Sequence, residues 1–430
     1  MIRNGKKKAI SCALVAAMSV GLAACGTTSY DFKVSYDGIK TGDVSSKVSV
    51  HDPSILKADG EYYIFGSHMS AAKSSDLLNW EKVADGYSKK NPVYGQIYDV
   101  ADEAFAYSGS KNSLIKTDDK QVHVWAPDVI YNETTGLYYM YYCTTSTWNA
   151  SNLCYGTSTT PEGPYEWQGA LIYSGFNRKT ISGTDVLDYV DEDYAYKNYI
   201  KGAQYNYEDY PNAIDPTVFY DADGRMWMVY GSWSGGIFLL EIDKTTGLVI
   251  HPEADKANNV DPYYGKRLLG GGHISIEGPY IMYDEASGYY YLFVSYGALT
   301  SNGGYQVRVF RSKTVDGEYV DMNGKYPEKS AQHQNFGLKL TGNYKLPSLE
   351  KAYMATGHNS AFVDDDGRMY LVYHTRFNDN GEGHSPRVHQ MLVNEDGWPC
   401  ELPYQTQGET VNKDGYDTDD IIGRYYVINQ

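Results

Sequence analysis

Asn212–Trp233, NAIDPTVFYDADGRMWMVYGSW, is the stretch whose reading decides the architecture. Asp215-Pro216 opens a short apolar run, Val218-Phe219-Tyr220. The turn Asp221-Ala222-Asp223-Gly224 follows, then the aromatic and apolar run Met226–Tyr230. Two β-prone runs joined by an Asp/Gly turn predict a hairpin. Proline at the very start of a strand costs no ladder hydrogen bond.

The same grammar returns four times. His51-Asp52-Pro53 leads through Asp59-Gly60 to Tyr62–Ser67, and Ala126-Pro127-Asp128 leads through Gly136 to Tyr138–Tyr142. Glu277-Gly278-Pro279 leads through Gly288 to Tyr290–Val294, and Gly357-His358-Asn359 through Asp366-Gly367 to Met369–Tyr373. A hairpin that restarts every 60 to 90 residues or so is the mark of radial repetition. Five copies predict an all-β, five-bladed β-propeller over residues 48–405. Blade boundaries are expected near residues 120, 175, 266 and 345, with a Tyr/Asp-rich insertion at 176–210 between blades two and three.

Composition agrees. The 430 residues hold 44 Tyr and 43 Gly without long amphipathic helical patterns, which favours many short strands. Tyrosine also offers flat, half-wet rings on which a sugar face can stack. The net charge of −17 repels phosphate backbones and excludes nucleic acid as a partner. A neutral polysaccharide is indifferent to it.

Residues 1–24 carry Lys6-Lys7-Lys8, an apolar run and Ala23-Ala24 before Cys25, the pattern of an export signal. Leu22-Ala23-Ala24-Cys25 also resembles a bacterial lipobox, which implies an exported protein lipid-anchored on the cell envelope at Cys25. Residues 25–47 then read as a tether, and membrane contact is expected through that anchor alone. Cys143 and Cys154 either pair across a hairpin or stay buried thiols. Residues 406–430 turn polar and end in an alternating run, Ile421–Ile428, read either as the opening strand of a further β domain or as the strand that closes the last blade.

In a propeller the first strand of each blade lines the axis, so the five lead positions 52, 128, 215, 277 and 358 are expected to converge on one pit. Carboxylates from Asp52, Asp215 and Glu277 would meet there. Glycosidic hydrolysis needs such a group: an acid to protonate the leaving oxygen and a base to activate water. A third carboxylate disfavours ionisation of the acid and keeps its proton available. One Asp-Pro alone is more often a turn cap; three in register favour catalysis.

His51-Asp52-Pro53, Trp125-Ala126-Pro127-Asp128, Asn212-Ala213-Ile214-Asp215-Pro216, Glu277-Gly278-Pro279-Tyr280 and Ser75-Asp76-Leu77 to Trp80 together resemble glycoside hydrolase family 43. The Asn-Ala-Ile-Asp-Pro element, Gly357-His358-Asn359-Ser360 and Arg387-Val388-His389-Gln390-Met391 look most like its endo-1,5-α-L-arabinanases. The resemblance spans about residues 48–400. It implies inverting hydrolysis of α-1,5-linked arabinofuranosyl chains by a monomer. Asp52 is then the general base, Glu277 the general acid, and Asp215 the carboxylate that tunes the acid. His358 falls where such enzymes hold a calcium ion, and Asn212, Ser232, Trp233, Ser234, Trp148, Asn149 and Trp125 where they contact substrate. Trp125 and Asp128 also suit a purely structural role. Two rivals remain: an exo-acting β-xylosidase or α-L-arabinofuranosidase of the same family, and an inactive glycan-binding propeller, for which the acid Glu277 would be superfluous.

Overall fold

The computed structural model describes residues 46–95, 101–108, 123–145, 149–327, 335–346, 349–377, 383–410, 415–422 and 425. The leader, Cys25, most of the tether and Trp148 lie outside them. No described helix is long and apolar enough to cross a membrane.

Among the described residues, five antiparallel sheets of four strands or more follow one another along the chain, each with its first four strands paired 1-2-3-4. Blade 1 is Ser54–Ala58, Glu61–Gly66, Ser70–Ser74 and Glu81–Ala84. Blade 2 runs from His123–Asn132 to Glu166–Tyr173, and blade 3 from Thr217–Tyr220 to Gly265–Leu269. Blade 4 runs from Ile276–Asp284 to Leu338–Lys339, and blade 5 from Met354–Val363 to Pro399–Glu401. The first strands touch in sequence around a ring, and that of blade 5 meets that of blade 1. This closure is the five-bladed propeller. Blade 3 ends at Leu269, slightly beyond the expected boundary, because Gly265–Leu269 pairs with Ile237–Leu239.

The hairpins form as their turns dictate. Asp59 and Gly60 both take left-handed φ (52° and 80°), the geometry of a two-residue turn that matches strand twist. Asp221 accepts from its own turn at Asp223 N and Arg225 N and from Trp227 Nε1 at 2.8 Å.

Each pair of neighbouring blades shares one apolar cluster. Ile55 and Ile64 pack with Val372 and Val388 between blades 1 and 5. Val129 and Met140 meet Tyr63 and Phe65 between blades 1 and 2. The cluster between blades 2 and 3 also takes up Phe176, Ile181, Val186, Ala195, Tyr199 and Tyr205. The insertion, polar in overall composition, is therefore anchored by its own buried face, with a short helix at Glu192–Asn198 and a hairpin pairing Ile200–Lys201 with Gln204–Tyr205.

Cys143 and Cys154 are free thiols. Cys143 pairs with Leu153 and Cys154 with Tyr142, so the two side chains lie on opposite faces of the sheet and pack in different clusters. At the C-terminus Thr418–Ile421 is a helical turn, and most of the alternating run that follows it, residues 423, 424 and 426–428, lies outside the described ones.

Candidate active site

The propeller repeats a backbone feature at the head of each blade. Asp52, Ala126, Asp215, Gly278 and His358 all take left-handed φ, between 41° and 56°. For a residue with a Cβ this costs roughly 1–2 kcal/mol, and such strain clusters at functional sites. The feature corrects the expected register. Asp52, Asp215 and His358 are structurally equivalent, whereas Glu277 lies one residue before its blade's position and Asp128 two residues after. Trp125 pairs with Cys143 before a bulge, as Glu277 pairs with Ser295, so Trp125 is the blade 2 counterpart of Glu277.

Asp128 therefore misses the pit. It is buried within the ring, where Oδ1 accepts from Ser54 Oγ of blade 1 and Oδ2 from Val218 N of blade 3 at 2.6 Å. Burial pushes its carboxyl up to about 7, with Ser54 and Val218 opposing. It laces three blades together.

The left-handed residues are held by a cyclic set of bonds that begins at the ends of the second strands. Ser67 Oγ of blade 1 accepts from Ala126 N of blade 2 at 2.9 Å. The Cys143 thiol holds the corresponding place in blade 2, beside Asp215 of blade 3, and donates to Trp125 O at 3.4 Å. Ser295 Oγ of blade 4 accepts from His358 N of blade 5 at 2.7 Å, and His374 Nδ1 of blade 5 from Asp52 N of blade 1 at 3.2 Å. Between blades 3 and 4 the pattern changes: Gly278 N donates to Asp215 Oδ2 at 3.2 Å. Ser232, the residue that would otherwise fill this place, turns its hydroxyl to Glu277.

Glu277 is thereby held by three donors. Trp233 Nε1 and Ser232 Oγ reach Oε2 at 2.7 Å and 3.2 Å, and Tyr305 Oη reaches Oε1 at 2.8 Å. Tyr305 gave no signal in the sequence, since it follows an irregular loop. It fits because Gly357 has no side chain: a Cβ there would stand 2.3 Å from the Tyr305 ring. Trp233, expected to touch substrate, is itself left-handed (φ 56°) and braced by His273 at 5.3 Å between ring centres. Its indole N–H orients the candidate acid.

Around Asp52 the groups are basic. Ser67 Oγ donates to Oδ2, while His358 Nδ1 lies 3.1 Å and His51 Nε2 3.0 Å from Oδ1. Burial opposes ionisation of Asp52, but His358, His51 and Ser67 outweigh it and hold the carboxyl below its ordinary range. Burial raises Glu277, assisted by Asp52 and opposed by Tyr305, His358 and Trp233. Burial also lifts Asp215 to about 7, with Glu277 and Asp52 adding to it and His358 opposing. His358 rises in spite of its burial, because Asp52, Asp215 and Glu277 surround it. Three carboxyls and one imidazole thus form one buried electrostatic unit.

The other predicted contacts fall nearby or in the walls. Asn212 Oδ1 accepts from Ser151 Oγ at 2.8 Å, bracing the blade 2–3 wall. Ser234 is buried and bridges to His273. Asn149 O accepts from Ser174 Oγ at 2.8 Å. Trp125 is half-buried beside His123. Among the described residues, the His/Cys/Asp/Glu group with metal-ligand spacing is His51, His374 and His384, which the sequence reading passed over.

A closed propeller with an acid, a base and a third carboxylate on its axis defines a polysaccharide-cleaving hydrolase. The chain matches glycosyl hydrolases family 43 over residues 44–210 and 191–399, and it belongs to that family. It is 39% identical over 393 residues to an extracellular endo-α-(1→5)-L-arabinanase of Thermotoga petrophila, covering 88% of this chain and 75% of that one. It is 37% identical to extracellular endo-α-(1→5)-L-arabinanase 2 of Bacillus subtilis, covering 90% and 76%. A crystal structure of the Thermotoga petrophila endo-1,5-α-L-arabinanase in complex with TRIS superposes with a TM-score of 0.73 at 38% identity, over 90% of this chain and 79% of that one.

Proposed function

We propose that this chain hydrolyses α-1,5-linked arabinofuranosyl chains, the arabinan of plant cell walls, with inversion at the anomeric carbon. The observation that carries this reading is the split in proton affinity across one pit: Asp52 held low, Glu277 and Asp215 pushed up. Two titratable groups driven apart in this way make an acid and a base. The membership of family 43 and the similarity to endo-arabinanases name the substrate.

Asp52, ionised, accepts a proton from a water as that water's oxygen bonds to the anomeric carbon. Glu277 gives its proton to the departing glycosidic oxygen in the same step. The protons balance when Asp52 returns its proton to solvent and Glu277 takes one up. Asp215 supports the acid twice: its Oδ2 fixes Gly278 N, next to Glu277, and its charge opposes that of Glu277. In this reading Trp125 and Asn149 contact substrate, Trp148 is a further candidate outside the described residues, and Asn212 and Ser234 act from the wall behind them.

The reading includes a calcium ion. Its residues fit: His358 commits Nδ1 to Asp52, which leaves Nε2 as the ligand atom, and the surrounding carboxylates supply the negative charge a hard cation seeks. Bound there, the ion would supply fixed positive charge on the axis. Chelator treatment should then lower activity and Tm together, as His358→Ala should. Full activity in chelated, metal-free protein by elemental analysis would remove the ion.

Export follows from the leader and from the extracellular relatives, with Cys25 as the anchor. The direct test of function is Glu277→Gln on two substrates. Turnover should fall by orders of magnitude on debranched arabinan and far less on an aryl arabinofuranoside, whose leaving group needs little protonation. Equal losses, or wild-type protein that attacks xylan in preference to arabinan, would refute the assignment.

A further inference from the structure

His51, His374 and His384 present ring nitrogens within 4.8 Å of one another, next to Asp52. The spacing invites a transition metal, but the proton positions argue against one. The backbone N–H of Asp52 can only donate, so His374 Nδ1, 3.2 Å away, accepts, and its proton sits on Nε2. The Arg376 guanidinium can only donate, so His384 Nε2, 2.8 Å from Nη2, accepts, and its proton sits on Nδ1. His51 Nε2 lies 3.0 Å from Asp52 Oδ1, a close electrostatic contact short of hydrogen-bond alignment. Burial keeps all three rings neutral, His51 at about 4, His384 at about 3 and His374 well below its ordinary value. A metal needs a lone pair from each imidazole; His374 and His384 each have one nitrogen accepting a hydrogen bond and the other protonated, which leaves neither ring a free lone pair.

The same assignments give the cluster a direction. Arg376 donates to His384. The His384 ring stacks on His51 with centres 3.9 Å apart and planes 15° from parallel, and His374 meets His51 edge-on at 4.9 Å. Both ring nitrogens of His51 and Nε2 of His374 are buried with no hydrogen-bond partner in protein.

We propose that Arg376, His384 and His51 form a positioning relay that holds the Asp52 carboxylate for catalysis, and that the three imidazoles are not a metal site. The proposal rests on the reading of Asp52 as the base. The relay crosses from blade 5 to blade 1: Arg376 ends the second strand of blade 5, His384 precedes its third, and His51 leads into blade 1. The acid side is coupled in the same way, since Tyr305, which donates to Glu277, stacks on His374 with planes 14° apart.

The test compares His51→Ala, His51→Gln, His384→Ala and Asp52→Asn in the full chain, with circular dichroism to establish folding. His51→Ala and His384→Ala should lose kcat on the order of 10-fold with KM unchanged, the scale of a modest misplacement of a reacting group. The loss should be the same on arabinan and on an aryl arabinofuranoside, because a better leaving group does not relieve a defect at the base. His51→Gln, which retains an N–H at the Nε2 position, should recover most of the loss. Folded alanine variants with wild-type kcat, or His51→Gln no better than His51→Ala, would overturn the relay. So would one equivalent of zinc retained by wild-type protein after dialysis against zinc chloride and lost in His384→Ala. Asp52→Asn separates the two levels: if it stays active, the reading of Asp52 as base fails, whatever the histidine variants do.

Discussion

At the scale of single residues, the pit works by unequal burial costs. Asp215 and Glu277 sit in the same low-dielectric space as Asp52, yet only Asp52 faces imidazoles at about hydrogen-bond distance. This has a consequence for stability. The folded-state value of Asp215, about 7, lies above the ordinary 3.8, so the folded protein binds this proton more tightly than the unfolded chain. The resulting stabilisation is complete below pH 4 or so and is lost as pH rises toward 7. Asp215→Asn, neutral throughout, should flatten the fall in Tm across that window, by an amount on the order of a few kcal/mol. A melting series whose pH slope is unchanged in the variant would show that Asp215 is already ionised at acid pH.

At the scale of elements, the second-strand ends matter as much as the first-strand heads. Ser67, Ser295 and His374 each hold a left-handed residue in the next blade, with Cys143 beside Asp215 in the corresponding place, and the departure from this pattern at Ser232 frees a donor for Glu277. Asp128 belongs to this scaffold. Asp128→Ala would leave Ser54 Oγ and Val218 N buried without their partner, at a cost of about 2–4 kcal/mol. The expected result is a clear drop in Tm with kcat at room temperature nearly intact. A collapse of kcat in a well-folded variant would place Asp128 in the chemistry instead.

At the scale of the molecule, ring closure sets the stereochemistry. Asp52 and Glu277 come from blades 1 and 4, which are not neighbours in a ring of five. That arrangement favours the wider separation, about 6.5–9.5 Å, which leaves room for a water between base and sugar. Proton NMR of the first-formed product should show the anomeric configuration opposite to that of the substrate. Retention would mean that a carboxylate attacks the sugar directly and that Asp52 has been given the wrong role. Closure itself is side-chain work. Ser360 Oγ of blade 5 accepts from Ile55 N and donates to Pro53 O, and the Gln405 amide joins Val388 N to Leu77 O.

The sequence by itself determined the blade count and the convergence of Asp52, Asp215, Glu277 and His358. Hairpin turns and apolar alternation are local, and a hairpin that recurs five times admits few packings. It could not determine the register at the head of each blade. The repeat is carried by a left-handed backbone, which Ala126 and Gly278 adopt as well as Asp52 does, so matching polar letters put Asp128 in the pit. Nor could it find Tyr305, Ser67, His374 or His384. Each reaches the site from a different strand or loop, and only the closed ring brings them within bonding distance. Which way His374 carries its proton is fixed by the backbone N–H of Asp52, 322 residues away, because a hydrogen-bond donor acts across space and leaves no pattern along the chain.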